Sequence, residues 1–109
     1  MNDTIYKFNY PSTLLRDYTH WVVLLRPNQI TLGSLILASK ENSVTLADIS
    51  VEAFQELNII TKEIEKTLNF NFNFDKINYL AYMMVDRHVH FHIIPRYSKN
   101  KKFNDIEFK

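Results

Sequence analysis

At 109 residues the chain is sized for a single domain, 1–109, and is too short to build two substantial cores. An apolar fraction of 46% is that of a globular protein, and a net charge of +1 excludes the basic balance of a dedicated nucleic-acid polymer binder. No cysteine is present, which removes disulfide frameworks and thiolate zinc sites, and a single glycine, Gly33, rules out a glycine-rich phosphate cradle.

The first residues show no basic stretch followed by an apolar one, so no signal peptide is expected. No apolar run is long enough to cross a bilayer. The expectation is a cytoplasmic domain without a membrane partner. Residues 18–26 are β-branched and aromatic and end at Pro27-Asn28, which predicts a buried strand and a turn. Residues 33–39 predict a second strand, and residues 45–48 a short helical turn. Ser50 is a good N-cap for the next element, with Glu52 in its first turn.

From residue 51 to about 68, Ala53, Phe54, Leu57, Ile60, Ile64 and Leu68 recur at helical spacing between charged residues. That is an amphipathic helix packed on a sheet. Residues 69–74 alternate Asn and Phe and are expected to form a helix end and an irregular loop. Residues 76–85 predict a strand, and Asp86-Arg87 a tight turn into the last strand, residues 88–96. The order β-β-α-β-β predicts an α+β fold, an antiparallel sheet with one main helix packed on it. Lys99, Lys101 and Lys102 read as a solvated tail, with Tyr97, Phe103, Ile106 and Phe108 as apolar docking points.

The last strand carries the chemistry. His88, His90 and His92 alternate with Val89, Phe91 and Ile93, so one face presents imidazoles and the other suits a core. Imidazole titrates near neutral pH and can act as nucleophile, proton donor or anion ligand. A metal site is the rival reading. On a regular strand His88 and His92 lie about 13 Å apart at Cα, whereas two nitrogens on one zinc lie within about 4 Å, so carboxylates from elsewhere would be needed. The favoured chemistry is therefore attack on an anionic phosphate by one imidazole with its neighbours assisting, with no cofactor and no metal.

The stretch His88-Val89-His90-Phe91-His92-Ile93-Ile94 resembles the His-x-His-x-His-x-x motif of the histidine triad (HIT) family, and Pro95-Arg96 continues it. His20-Trp21, Arg26-Pro27-Asn28-Gln29, Thr31-Leu32-Gly33-Ser34-Leu35, Ile77-Asn78-Tyr79-Leu80 and Met83-Met84-Val85-Asp86 extend the likeness to a bacterial, diadenosine tetraphosphate hydrolase-like subgroup. The resemblance implies cleavage of a dinucleoside polyphosphate or nucleoside phosphoramidate at the α-phosphate. His90 would be the nucleophile, with His88 and His92 assisting. It also implies a homodimer with one continuous sheet, in which the C-terminal segment helps shape the neighbouring site.

Two departures set the runner-up, a nucleotide-binding module with little turnover. Ser34 follows Gly33 where many members of the family carry a fourth histidine. Residues 83–87 offer no hydroxyl or amide where many carry Gln and Ser or Thr. Asp86 and Arg96 share the parity of the histidines, with Asp86 a candidate to orient His88. Arg26, Asn28, Gln29 and Asn78 are candidate nucleotide contacts, each with a turn-forming or structural role as the alternative. His20 reads as a core histidine.

Overall fold

Trp21–Leu25 and Leu35–Ser39 are strands in which every residue except Leu25 is buried, because both faces of the sheet are covered there. The structure, a computed structural model, describes residues 1–98, 101–103 and 106–108. Its elements are α1 (Asp3–Lys7), β1 (Leu14–Asp17), β2 (Trp21–Leu25), β3 (Leu35–Ser39), a 3-10 turn (Leu46–Asp48), α2 (Val51–Phe72), β4 (Lys76–Leu80), β5 (His90–Arg96), β6 (Lys101–Phe103) and β7 (Ile106–Phe108). Strands β1 to β5 form an antiparallel sheet in the order β1-β2-β3-β5-β4. The fold is α+β. β5, the histidine strand, is hydrogen-bonded on both sides, to β3 and β4.

α2 covers one face. Its buried residues Ala53, Ile60, Ile64 and Leu68 form one stripe against Trp21, Val23, Leu37, Val89 and Ile93. Ser50 Oγ accepts the Ala53 N–H at 3.1 Å, as its N-cap position predicts. The helix runs one turn beyond the expected end. Phe72 lies four residues after Leu68 and stays on the buried stripe, while Phe70 is fully on the outside. The Asn-Phe alternation thus reads as helix, and Asn73 ends it at φ 50°. Phe72 also shows why residue 33 is glycine. Its φ is +89°, and a Cβ there would meet the Phe72 ring at 3.1 Å.

The N-terminal segment corrects the expected order. α1 and β1 precede the elements read from the sequence. β1 is a short edge strand with a register irregularity between Leu14 and Arg16, so its burial pattern carries no alternation. A five-residue helix is not stable alone. α1 is held instead by Ile5, fully buried among Val22, Leu24, Ile36 and Ala38 on the face opposite α2, a burial of about 1.5–3 kcal/mol.

The connection into the histidine strand is also different. β4 stops at Leu80, opposite His92, and β5 begins at His90, so residues 81–89 make an excursion instead of a tight turn at Asp86-Arg87. Val89 is drawn past the end of β4 because its carbonyl accepts from Ser39 N at 3.0 Å and its N–H donates to Ser43 O at 3.1 Å. Met84 and Val85, at the tip, are exposed. β6 and β7 pair as an antiparallel ribbon. Tyr97, the first of the expected docking points, donates its hydroxyl to Leu32 O at 2.8 Å. Lys99 and the side chains of Lys101, Lys102, Phe103, Ile106 and Phe108 lie outside what is described, and so do their expected contacts.

Candidate active site

The alternation of β5 sends Phe91 and Ile93 to the α2 side and His90 and His92 to the side carrying α1. The two rings stand 5.1 Å apart, edge to face. Phe8, at the end of α1, covers both, at 5.6 Å from His90 and 5.9 Å from His92. Tyr82 flanks His92 at 6.2 Å. His90 is 1% exposed, so the imidazole face is covered as well as the face expected to suit a core.

Hydrogen bonds assign the tautomers. His90 Nδ1 lies 2.7 Å from the His88 carbonyl oxygen, which can only accept, so Nδ1 carries a proton and, in the neutral ring, Nε2 keeps the lone pair. His92 Nδ1 faces Arg26 Nε at 3.4 Å. A guanidinium can only donate, so here Nδ1 is the acceptor and Nε2–H the donor. His88 precedes β5 instead of lying within it, is buried, and bonds Thr4 through both its backbone N–H and Nδ1.

Burial lowers the His92 pKa below 6.5, and the neighbouring His90 and the Arg26 charge push it the same way, while Asp86 opposes them. His92 is therefore neutral at pH 7. Removing Arg26 is expected to raise this pKa and Asp86→Asn to lower it further, as read by NMR titration of the ring protons. A shift of the wrong sign in either variant refutes the assignment. The linked effect on stability has one sign. Because the folded pKa is below the unfolded value, acidification past 6.5 protonates the unfolded chain first, and stability falls until the folded ring also titrates.

The other candidate residues divide. Asp86 is near His92 but its ion pair is with Lys7, at 2.9 Å, and the group bonded to His88 is Thr4. Arg26 Nη1 also bonds the Asn28 carbonyl, leaving the Asn28 side chain exposed beside it. Gln29 is a loop brace: Nε2 donates to Arg26 O and Ser34 O, and Oε1 accepts from Gly33 and Ser34 N–H. Ser34, fully buried, donates to Thr31 O and accepts from Thr31 N. Asn78 Oδ1 accepts from Arg96 Nε at 2.8 Å; Asn78 lies mid-way along β4, opposite Ile94, and Arg96 ends β5, about 13 Å along the strand from His92. His20 is half-buried, 3.8 Å from Glu41, outside both cores.

Thr4, Lys7 and Phe8 were not singled out from the sequence. The available signal was Asn2 as an N-cap with Asp3 in the first turn, and Ile5 and Phe8 at helical spacing. A cleft of about 600 Å³ lies elsewhere, between β1 to β3 and the C-terminal half of α2. It is lined by Leu15, Val23, Leu35, Ile64, Leu68 and Phe72 and contains no histidine, so it is separate from this chemistry. Among the described residues no three His, Asp or Glu side chains are grouped to hold a metal ion, and no helix is long and apolar enough to cross a membrane.

The arrangement has solved counterparts. A hypothetical histidine triad nucleotide-binding protein from Sulfolobus tokodaii is similar with a TM-score of 0.74 at 16% identity, over 97% of this chain and 78% of that one. A HIT family member from Bacillus subtilis gives 0.73 at 23%, over 88% and 72%. A HIT family protein from Bacillus anthracis gives 0.71 at 21%, over 80% of this chain and 65% of that one. The chain thus spans just under two thirds of the Bacillus anthracis protein, and only 22% of the C. elegans NitFhit protein that it also resembles. At these identities the likeness is one of fold. No curated protein sequence matches the chain. The HIT domain family, however, matches residues 7–99, a stretch that holds the five-stranded sheet, α2 and all three histidines of the motif, and by that match the chain belongs to the HIT family.

Proposed function

We propose that this protein is a nucleotidyl hydrolase or transferase acting on a dinucleoside polyphosphate or nucleoside phosphoramidate. The observation that carries the reading is the 2.7 Å bond from His90 Nδ1 to the His88 carbonyl, which leaves Nε2 as an unprotonated nucleophile. In the proposed reaction Nε2 attacks the α-phosphorus, and the bond from phosphorus to the leaving oxygen or nitrogen breaks with its electron pair, a leaving nitrogen taking a proton from solvent to depart as the amine. The neutral His92 Nε2–H and the Arg26 guanidinium stabilise the charge that develops. Water then attacks phosphorus, the P–N bond to His90 breaks, nucleoside monophosphate leaves, and the proton from water passes to solvent.

Incubation with diadenosine polyphosphate and with a fluorescent nucleoside phosphoramidate, followed by acid quench and peptide mass analysis, tests the scheme. Nucleoside monophosphate as product and a nucleotidyl adduct on His90 are expected. A second reading, a nucleotide-binding module with little turnover, is favoured by one observation. Ser34 is consumed by Thr31 and residues 83–87 supply no hydroxyl or amide, so the side-chain types common at these positions in the family are missing. Binding without product at high protein concentration would decide for the module.

We further propose a homodimer. Among the described residues β1 and β4 are the outer strands of the sheet, and a second copy adding to one of them would extend it. Light scattering is expected to give about twice the monomer mass at micromolar concentration. A monomer would remove the dimer and leave the triad argument intact.

A further inference from the structure

The N-terminal helix places a buried hydroxyl on the triad. Thr4 is 3% exposed, and its Oγ1 meets residue 88 twice: it accepts the His88 N–H at 3.2 Å and lies 3.0 Å from His88 Nδ1. Its own position is held from both sides. Asn2 Nδ2 donates to Ser39 O at 2.8 Å and Glu41 O at 2.9 Å, Asn2 Oδ1 accepts from Ile5 N at 3.1 Å, and Ile5 is fully buried. Among the described residues Thr4 Oγ1 has no other hydrogen-bond partner. A buried hydroxyl proton needs an acceptor, and His88 Nδ1 is the one within reach.

We propose that Thr4 is a positioning residue for the triad, fixing the tautomer of His88 and, through the His88 peptide, the orientation of His90. With Thr4 O–H donating to Nδ1, His88 carries its proton on Nε2 and remains a neutral donor. The same residue's carbonyl accepts from His90 Nδ1 at 2.7 Å. One side chain therefore holds the ring and the backbone N–H of the residue whose oxygen aims the nucleophile. No covalent step involves Thr4. The proposal rests on His90 being the nucleophile only for its effect on rate; the tautomer claim stands apart from it.

Thr4→Val keeps the shape and removes the hydroxyl, leaving two donors or acceptors of His88 unsatisfied, whereas Thr4→Ser keeps it. Nitrogen–proton NMR correlation of the full-length protein reads each imidazole tautomer. Wild type is expected to show His88 protonated on Nε2 and His90 on Nδ1, with both patterns lost or mixed in Thr4→Val and kept in Thr4→Ser. In turnover assays Thr4→Val is expected to lower kcat by about tenfold or more with KM within about twofold, and Thr4→Ser to recover most of it. His88 protonated on Nδ1 in wild type overturns the proposal, as does a Thr4→Ser variant no better than Thr4→Val. Should Thr4→Val fail to fold, the wild-type and Thr4→Ser spectra decide. Should no substrate be turned over, the proposed reaction fails, and unchanged His88 and His90 signals in Thr4→Val would separately overturn the role of Thr4.

Discussion

His90→Ala is expected to lower kcat/KM by about a thousandfold or more, about 4 kcal/mol of transition-state stabilisation. The covalent path needs the Nε2 lone pair that the His88 carbonyl leaves free, and the adjacent His92 is held in the other tautomer, with Nδ1 accepting from Arg26. The substitution is not neutral for the fold. His90 is 1% exposed beneath Phe8, so deleting the ring empties packed space and a hydrogen bond, at a cost of about 1–3 kcal/mol. Melting curves must therefore accompany the assay. His90→Asn is the cleaner variant, because its amide can still donate to the His88 carbonyl while lacking a nucleophilic nitrogen. Retention of more than about a tenth of the wild-type rate in either variant excludes His90 as the nucleophile.

Phe91→Asp is expected to prevent folding altogether. Phe91 sits one position along β5 from His90, on the α2 side, paired with Leu37 of β3 and 6.2 Å from the Trp21 ring. A carboxylate placed there has no partner among the surrounding Trp, Val, Leu and Ile side chains. Phe91 is itself partly buried, and drawing an unpaired carboxylate even partly from water into this apolar contact costs several kcal/mol, set against a total stability of about 5–15 kcal/mol for a domain of this kind. Insoluble protein, or loss of the cooperative thermal transition, is the expected result. A soluble variant melting at the wild-type temperature would show that the strand faces are assigned the wrong way round. The two substitutions are adjacent in sequence and opposite in consequence.

Legibility followed periodicity. The α2 stripe, the two buried strands and the alternating histidines announce themselves because each obeys a spacing of 3.6 or 2 over enough residues to stand out. α1 and β1 are too short for any spacing to register, and the extra turn of α2 was hidden by an Asn-Phe alternation that suits two periods at once. At the site, the motif residues His90 and His92 do converge, and Arg26 joins them from the end of β2, because β2, β3 and β5 lie side by side. The hydrogen bonds of Ser34 and Gln29 run elsewhere. Both are spent inside their own loop, bonding to Thr31, Arg26 and Gly33, which only coordinates can reveal.

What the amino-acid order determined by itself is local: which segments are helix or strand, which face of the last strand bears imidazoles, and that phosphate binding cannot rest on a glycine-rich loop. Those properties depend on neighbours a few positions apart. The tertiary structure alone decided which partners set His88, His90 and His92 apart: Thr4 from α1, a carbonyl two residues back, and Arg26 from across the sheet. It also decided that His90 lies covered by Phe8. Residues 4 and 88 are brought together by the burial of Ile5 in the second core, a contact that no sequence spacing encodes.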